Sequence, residues 1–156
     1  MEIVIKKSTG TKSAWAELEQ FVLKREKQWQ RGEEMPEFAS YEHALHERLM
    51  KLERELLADE LKRYDVAVKE IEVEGERYHR IISSGDNYLT TAGEVRVERH
   101  LYRRVGGDQE RCICPLELGA GIIGGYATPR AARQMSFAAA HLPPREAAEL
   151  FGEMGG

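Results

Sequence analysis

The hydrophobic period of this chain changes from about 3.6 to 2 at Asp65 and changes back past residue 118, and few folds accommodate that order. Upstream, Trp15, Leu18, Phe21 or Val22, and Trp29 recur near helical spacing, with Ser13 placed to cap and Gly32 and Pro36 marking the end, which predicts a helix over 13–30. Leu45, Leu49, Leu52, Leu56 and Leu61 then follow Ser40, a suitable N-cap, and predict a second helix through Lys62. Its other face alternates Glu47, Arg48, Lys51, Arg54 and Glu55, as a solvated face does.

Beyond Asp65, alternation over 66–73, a turn signal at Glu74-Gly75 and a second run over 77–82 predict a hairpin. Residues 83–87 read as a loop and 88–91 as a short strand. The longest strand is expected over 95–105, with Val95, Val97, Leu101 and Val105 on one face and Arg96, Glu98, His100, Tyr102 and Arg104 on the other. Gly106-Gly107-Asp108 closes it, and 111–118 returns as a last strand ended at or shortly after Pro115. Gly119, Gly121, Gly124 and Gly125 suggest a flexible connector. Thr128-Pro129 opens a helix over 130–141, and another is expected over 144–151 with Gly152 as its stop. The fold class is therefore α+β: N-terminal helices (1–65), a small antiparallel sheet (66–118), and C-terminal helices (119–156), the last segment being a possible incomplete helix-turn-helix.

Length and charge narrow the functions open to such a fold. At 156 residues the chain has room for one domain or two small ones. A mean hydropathy of −0.54, with no apolar run near the ~18 residues of a membrane span, argues for no membrane partner. The opening MEIVIKKSTGTK lacks the apolar block of a secretory leader, and Cys112 and Cys114 are too close for a disulfide framework, so a cytoplasmic location is expected. The net charge of −4 denies the molecule a global attraction to nucleic acid. Its distribution does not: Arg77, Arg80, Arg96, Arg99, Arg103 and Arg104 face only Asp86, Glu94 and Glu98 between residues 77 and 104.

Catalytic patterns are missing. There is no phosphate loop, no nucleophile elbow and no convincing carboxylate set, so no catalytic residue and no cofactor is expected. His43 and His46 lie one helical turn apart, and Cys112 and Cys114 would share one side of a strand, but neither pair has the further ligands a zinc site needs, and no metal is expected. The arginine-rich sheet is the better candidate. Forked guanidinium groups alternating with Tyr78, His79, Tyr88, His100 and Tyr102 suit phosphate contact with stacking, although cross-strand pairing with Glu94 and Glu98 would explain the same pattern. The leucine stripe over 45–61 equally suits a core or a homo-oligomer interface, which leaves a protein–protein module dimerising through that helix as the alternative function.

Several ordered motifs then carry a family resemblance. G-E-R-Y-H-R, T-A-G-E-V-R-V-E-R-H-L-Y-R, C-P-L-E-L, T-P-R-A-A-R-Q and R-E-A-A-E-L-F, over residues 75 to 151, resemble the N-terminal region of ISKra4-type insertion-sequence transposases. The resemblance implies a module of a mobile DNA element whose catalytic acidic triad belongs to a later, ribonuclease-H-like segment, so this chain would contact DNA or a partner transposase without activity of its own. Gly119 and Gly124 stand where the family has larger, often charged residues. The residues expected to meet DNA phosphates are Arg80, Arg96, Arg99, Arg103 and Arg104, with Arg130 and Arg133 from the helix that follows.

Overall fold

A computed structural model describes residues 9–106 and 112–154. The class is α+β as expected, in the order α1 (Thr9–Gln30), α2 (Phe38–Lys62), β1 (Glu70–Val73), β2 (Glu76–Thr90), β3 (Gly93–Arg104), β4 (Cys112–Ile113), α3 (Pro115–Ala120), α4 (Pro129–His141) and α5 (Pro144–Glu153). The four strands form one antiparallel sheet in chain order. Neither expected N-terminal cap is used: Ser13 lies within α1, where its hydroxyl donates to Glu17, and α2 starts before Ser40 with Glu37 at the cap position.

The largest departure from the expected layout is β2. Residues 83–87 are strand, not loop, because every residue from Ile82 to Thr90 has a partner on β3, from Leu101 back to Gly93. A polar Ser-Ser-Gly-Asp-Asn run costs strand propensity, but the ladder hydrogen bonds repay it. At Gly85 the bare backbone leaves room for the ends of the cross-strand Arg96 and Glu98 side chains, which a Cβ would meet at 2.5 and 2.6 Å and push aside. The β1–β2 turn places both Glu74 (φ 51°) and Gly75 (φ 79°) in the left-handed region, as a two-residue hairpin loop demands. At the β2–β3 turn, the Thr90 hydroxyl donates to the Gly93 carbonyl at 2.7 Å and accepts the Ala92 N–H.

The second departure concerns Pro115, which opens α3 rather than closing a long strand. β4 is confined to Cys112–Ile113, and Cys114 becomes the residue before the helix, buried while Cys112 is exposed. The two thiols therefore do not share a strand face. The start of the expected last strand at Arg111 and the closing residues Gly107 and Asp108 lie outside the described residues. The glycines after it are not a slack connector: Gly119 is helical, Gly121 ends α3 with φ 66°, and residues 126–128 bond along the edge of β2 through Leu89 N–H to the Tyr126 carbonyl and Thr128 N–H to the Leu89 carbonyl. Helices α4 and α5 agree with expectation, except that α5 runs through Gly152.

Buried residues change faces along β3. Near the β2–β3 turn, Val95 and Val97 point with Tyr88 into a cluster completed by Leu61 of α2, Cys114, and Leu116 of α3. Further along, the buried residue is Tyr102, of opposite parity. Its hydroxyl donates to the carbonyls of Val66 and Val68, at 2.7 and 2.8 Å. The segment 65–69 thus leaves α2 on one face, passes β3, and crosses the other face to β1. Asp65 secures the crossing by accepting the His100 N–H at 3.0 Å and meeting the His100 ring at 2.6 Å. The expected outward face of β3 is accordingly exposed only at Arg96 and Glu98.

Candidate nucleic-acid interface

A phosphate needs a guanidinium that is reachable and not already matched by a carboxylate. The candidate arginines divide on that criterion. Arg99 follows Val97 on the apolar parity of β3, so its side chain enters the interior and is 13% exposed. There it bonds Asp86, with Nε 3.4 Å from Glu117 Oε1 of α3. Arg104 is held by Glu76 through two bonds, Nε at 2.8 Å and Nη2 at 2.6 Å. Arg103 is half-buried, its Nε without a hydrogen-bond partner among the described residues. These three positions, expected to meet DNA, are withdrawn from solvent or already paired. Parity explains Arg99 and Arg103: odd-numbered β3 residues point toward α2 and α3.

The other four remain on the surface. Arg80 donates to the Ala67 carbonyl at 2.7 Å, which orients the group and leaves its charge unneutralised. Arg96, Arg130 and Arg133 are exposed, and none of them forms an ion pair with a described residue, although the Arg96 charge helps to hold the Asp86 carboxyl low. Arg80 and Arg96 share one face of the sheet. Arg80 pairs with Tyr102, six residues from Arg96, which puts them roughly 20 Å apart along β3. Arg130 and Arg133 sit in the first turns of α4, which leaves the sheet beside Leu89, two residues from Asn87, the cross-strand partner of Arg96. The start of α4 and Arg96 therefore lie at the same end of the sheet.

Of the five expected stacking aromatics only His79 stays partly exposed and uncommitted. Tyr78, Tyr88 and Tyr102 are buried, and His100 is committed to Asp65. Stacking on this sheet is thus excluded as a mode of binding for those tyrosines.

What sequence reading missed is the polar cluster under the sheet: Asp86, Tyr88, Arg99, Cys114 and Glu117. The Tyr88 hydroxyl donates to Glu117 at 2.9 Å. Arg99 and the Asn87 N–H hold the Asp86 carboxyl below the usual carboxylate range. Burial, with Glu117 adding to it, pushes the Tyr88 phenol above its ordinary range, and burial raises the Cys114 thiol. Burial opposes the charge on Arg99, yet Asp86 and Glu117 more than offset it and favour the cation. Asp86, Tyr88, Arg99 and Cys114 are thus each held in one protonation state near neutrality, which suits a structural strut and not proton transfer. A signal existed in the alternation, since Arg99 and Asp86 both fall on the apolar parity.

His43 is exposed and lies 3.8 Å from Glu47. Among the described residues no group of three or more His, Cys, Asp or Glu is placed to hold a metal ion, and no helix is long and apolar enough to cross a membrane. No protein-family model, curated protein or solved structure matches this chain.

Proposed function

We propose that this chain is the N-terminal, non-catalytic module of an ISKra4-type insertion-sequence transposase, and that it contacts the DNA of element ends through Arg80, Arg96, Arg130 and Arg133. The supporting observation is that these four exposed guanidinium groups, in no ion pair among the described residues, fall inside the motifs that carry the resemblance. Those motifs also form one folded unit. T-A-G-E-V-R-V-E-R-H-L-Y-R is the β2–β3 turn with β3, C-P-L-E-L joins β4 to α3, and T-P-R-A-A-R-Q opens α4. The contacts so proposed are to phosphates, which forked guanidinium groups on a sheet face and in the first turns of a helix suit.

Duplex binding followed by anisotropy at about 50 and 200 mM salt tests this. Replacing all four arginines by Ala should abolish most of the binding and flatten the salt dependence by about one unit of slope for each phosphate that is no longer neutralised. Arg104→Ala should leave the slope unchanged, since Glu76 already occupies that group. No detectable binding at the lower salt would sink the DNA reading for this chain.

A further inference from the structure

The α1–α2 hairpin is zipped along one seam. Phe21 stacks on Tyr41 with ring centroids 5.4 Å apart, Arg25 lies 4.8 Å over Tyr41, Arg48 lies 4.2 Å over Phe21, and Lys51 Nζ is 2.7 Å from Glu17. Contacts that descend α1 ascend α2, so the helices are antiparallel. At roughly 100° per residue, Glu17, Gln20 and Lys24 of α1 fall to one side of this seam and Trp15, Val22 and Trp29 to the other. On α2, His43, Glu47 and Lys51 fall to one side and Phe38, Leu49 and Leu56 to the other. The two polar sets line a common groove. The two apolar sets therefore share the opposite side, and nothing among the described residues covers them: Trp15 is 59%, Trp29 70%, Phe38 71%, Val22 48%, Leu49 41% and Leu56 48% exposed.

We propose that this face is the interface on which a second copy of the chain docks, hairpin against hairpin, to form a four-helix bundle. Area supports it. An exposed aromatic offers on the order of 100–200 Å² and an aliphatic somewhat less, so six such side chains present roughly 500–600 Å² of apolar surface. A stable interface needs about 800 Å² per partner, a little over half of it apolar. Spacing supports it as well. Trp15, Val22 and Trp29, and likewise Leu49 and Leu56, recur at seven residues, so each helix repeats an apolar position on this face that can meet the same repeat on another copy. The expected dimerising stripe is refined by this geometry, because Leu61 belongs to the core beneath the sheet and α1 supplies half of the face. The proposal stands apart from the DNA reading.

Trp15 and Trp29 are the chain's two tryptophans, so intrinsic fluorescence reports on this face alone. Sedimentation equilibrium of the chain should return a dimer at tens of µM, with tryptophan emission moving to shorter wavelength as concentration rises. Leu49→Glu with Leu56→Glu should raise the dissociation constant on the order of a hundredfold or more. Val22→Glu should act from the other helix, whereas Phe137→Glu, on exposed α4, should leave the dimer intact. Circular dichroism of each variant separates lost association from lost folding. A chain that stays monomeric at about 100 µM, far above the working range of an interface this size, overturns the proposal. A dimer indifferent to both sets of substitutions, or a monomer whose tryptophans are already shielded, also overturns it.

Discussion

In the sheet the charged side chains turn toward one another: Arg99 meets Asp86 and Glu117, Arg104 meets Glu76, and His100 meets Asp65. In the α1–α2 hairpin the apolar side chains turn away, and Trp15, Trp29 and Phe38 stand in solvent. The difference follows from how many neighbours each region has. Strand β3 is covered on one face by α2 and α3 and over part of the other by residues 65–69, so Arg99 is drawn inside and meets carboxylates there, while Arg96, beyond the covered stretch, stays exposed. Two helices touching along one seam bury one stripe each, and anything beyond it waits for another element.

The contrast can be broken at its strongest point by Leu116→Ala, which removes a fully buried side chain beneath the sheet; we expect a loss of about 3 kcal/mol in urea unfolding. Leu56→Ala, from the exposed face, should stay within about 0.5 kcal/mol at concentrations where the chain is monomeric. Equal effects would mean that the hairpin face is core. Arg99→Leu leaves Asp86 and Glu117 without their shared cation and should cost about 2 kcal/mol, while Arg104→Ala, on a half-exposed pair, should cost less than about 1 kcal/mol. Tyr102→Phe removes the donor to two carbonyls of the crossing segment and should cost about 1–2 kcal/mol by the same measurement.

The smallest effect is in pH. Asp86 is held below the ordinary carboxylate pKa of about 4 when folded, so its contribution is present above that value and is lost as pH falls through the lowered one. Arg99→Leu should accordingly flatten the acid limb of the Tm profile below about pH 4. An unchanged acid limb would mean that the Arg99 bond does not set the Asp86 pKa.

Local signals carried much of this far in advance. The helical periods of α2 and α4, the Glu74-Gly75 turn and the Thr128-Pro129 start are all visible in the chain, because each depends on residues within a turn of one another. The continuity of β2 was not visible: Ser83, Ser84, Gly85, Asp86 and Asn87 prefer turns, and only a partner strand of matching length overrules them. Pro115 is ambiguous in the same way, since proline ends a strand and opens a helix equally well, and packing of Leu116 beneath the sheet selects the helix. Among the candidate site residues, Arg80 and Arg96 stand where strand alternation puts a surface group and Arg130 and Arg133 on the exposed side of a helix, whereas Arg99, Arg103 and Arg104 are committed or half-buried.

By itself, the sequence determined that helices flank a small antiparallel sheet, where the period changes, and that arginine concentrates between residues 77 and 104. The tertiary structure alone decided which arginines are available and which leucines are core. Periodicity tells a residue which neighbours share its face, but whether that face meets water depends on elements distant in the chain. Here residues 65–69 cross the far side of β3, α3 tucks under it, and no described element of the same chain reaches the outer face of α1 and α2.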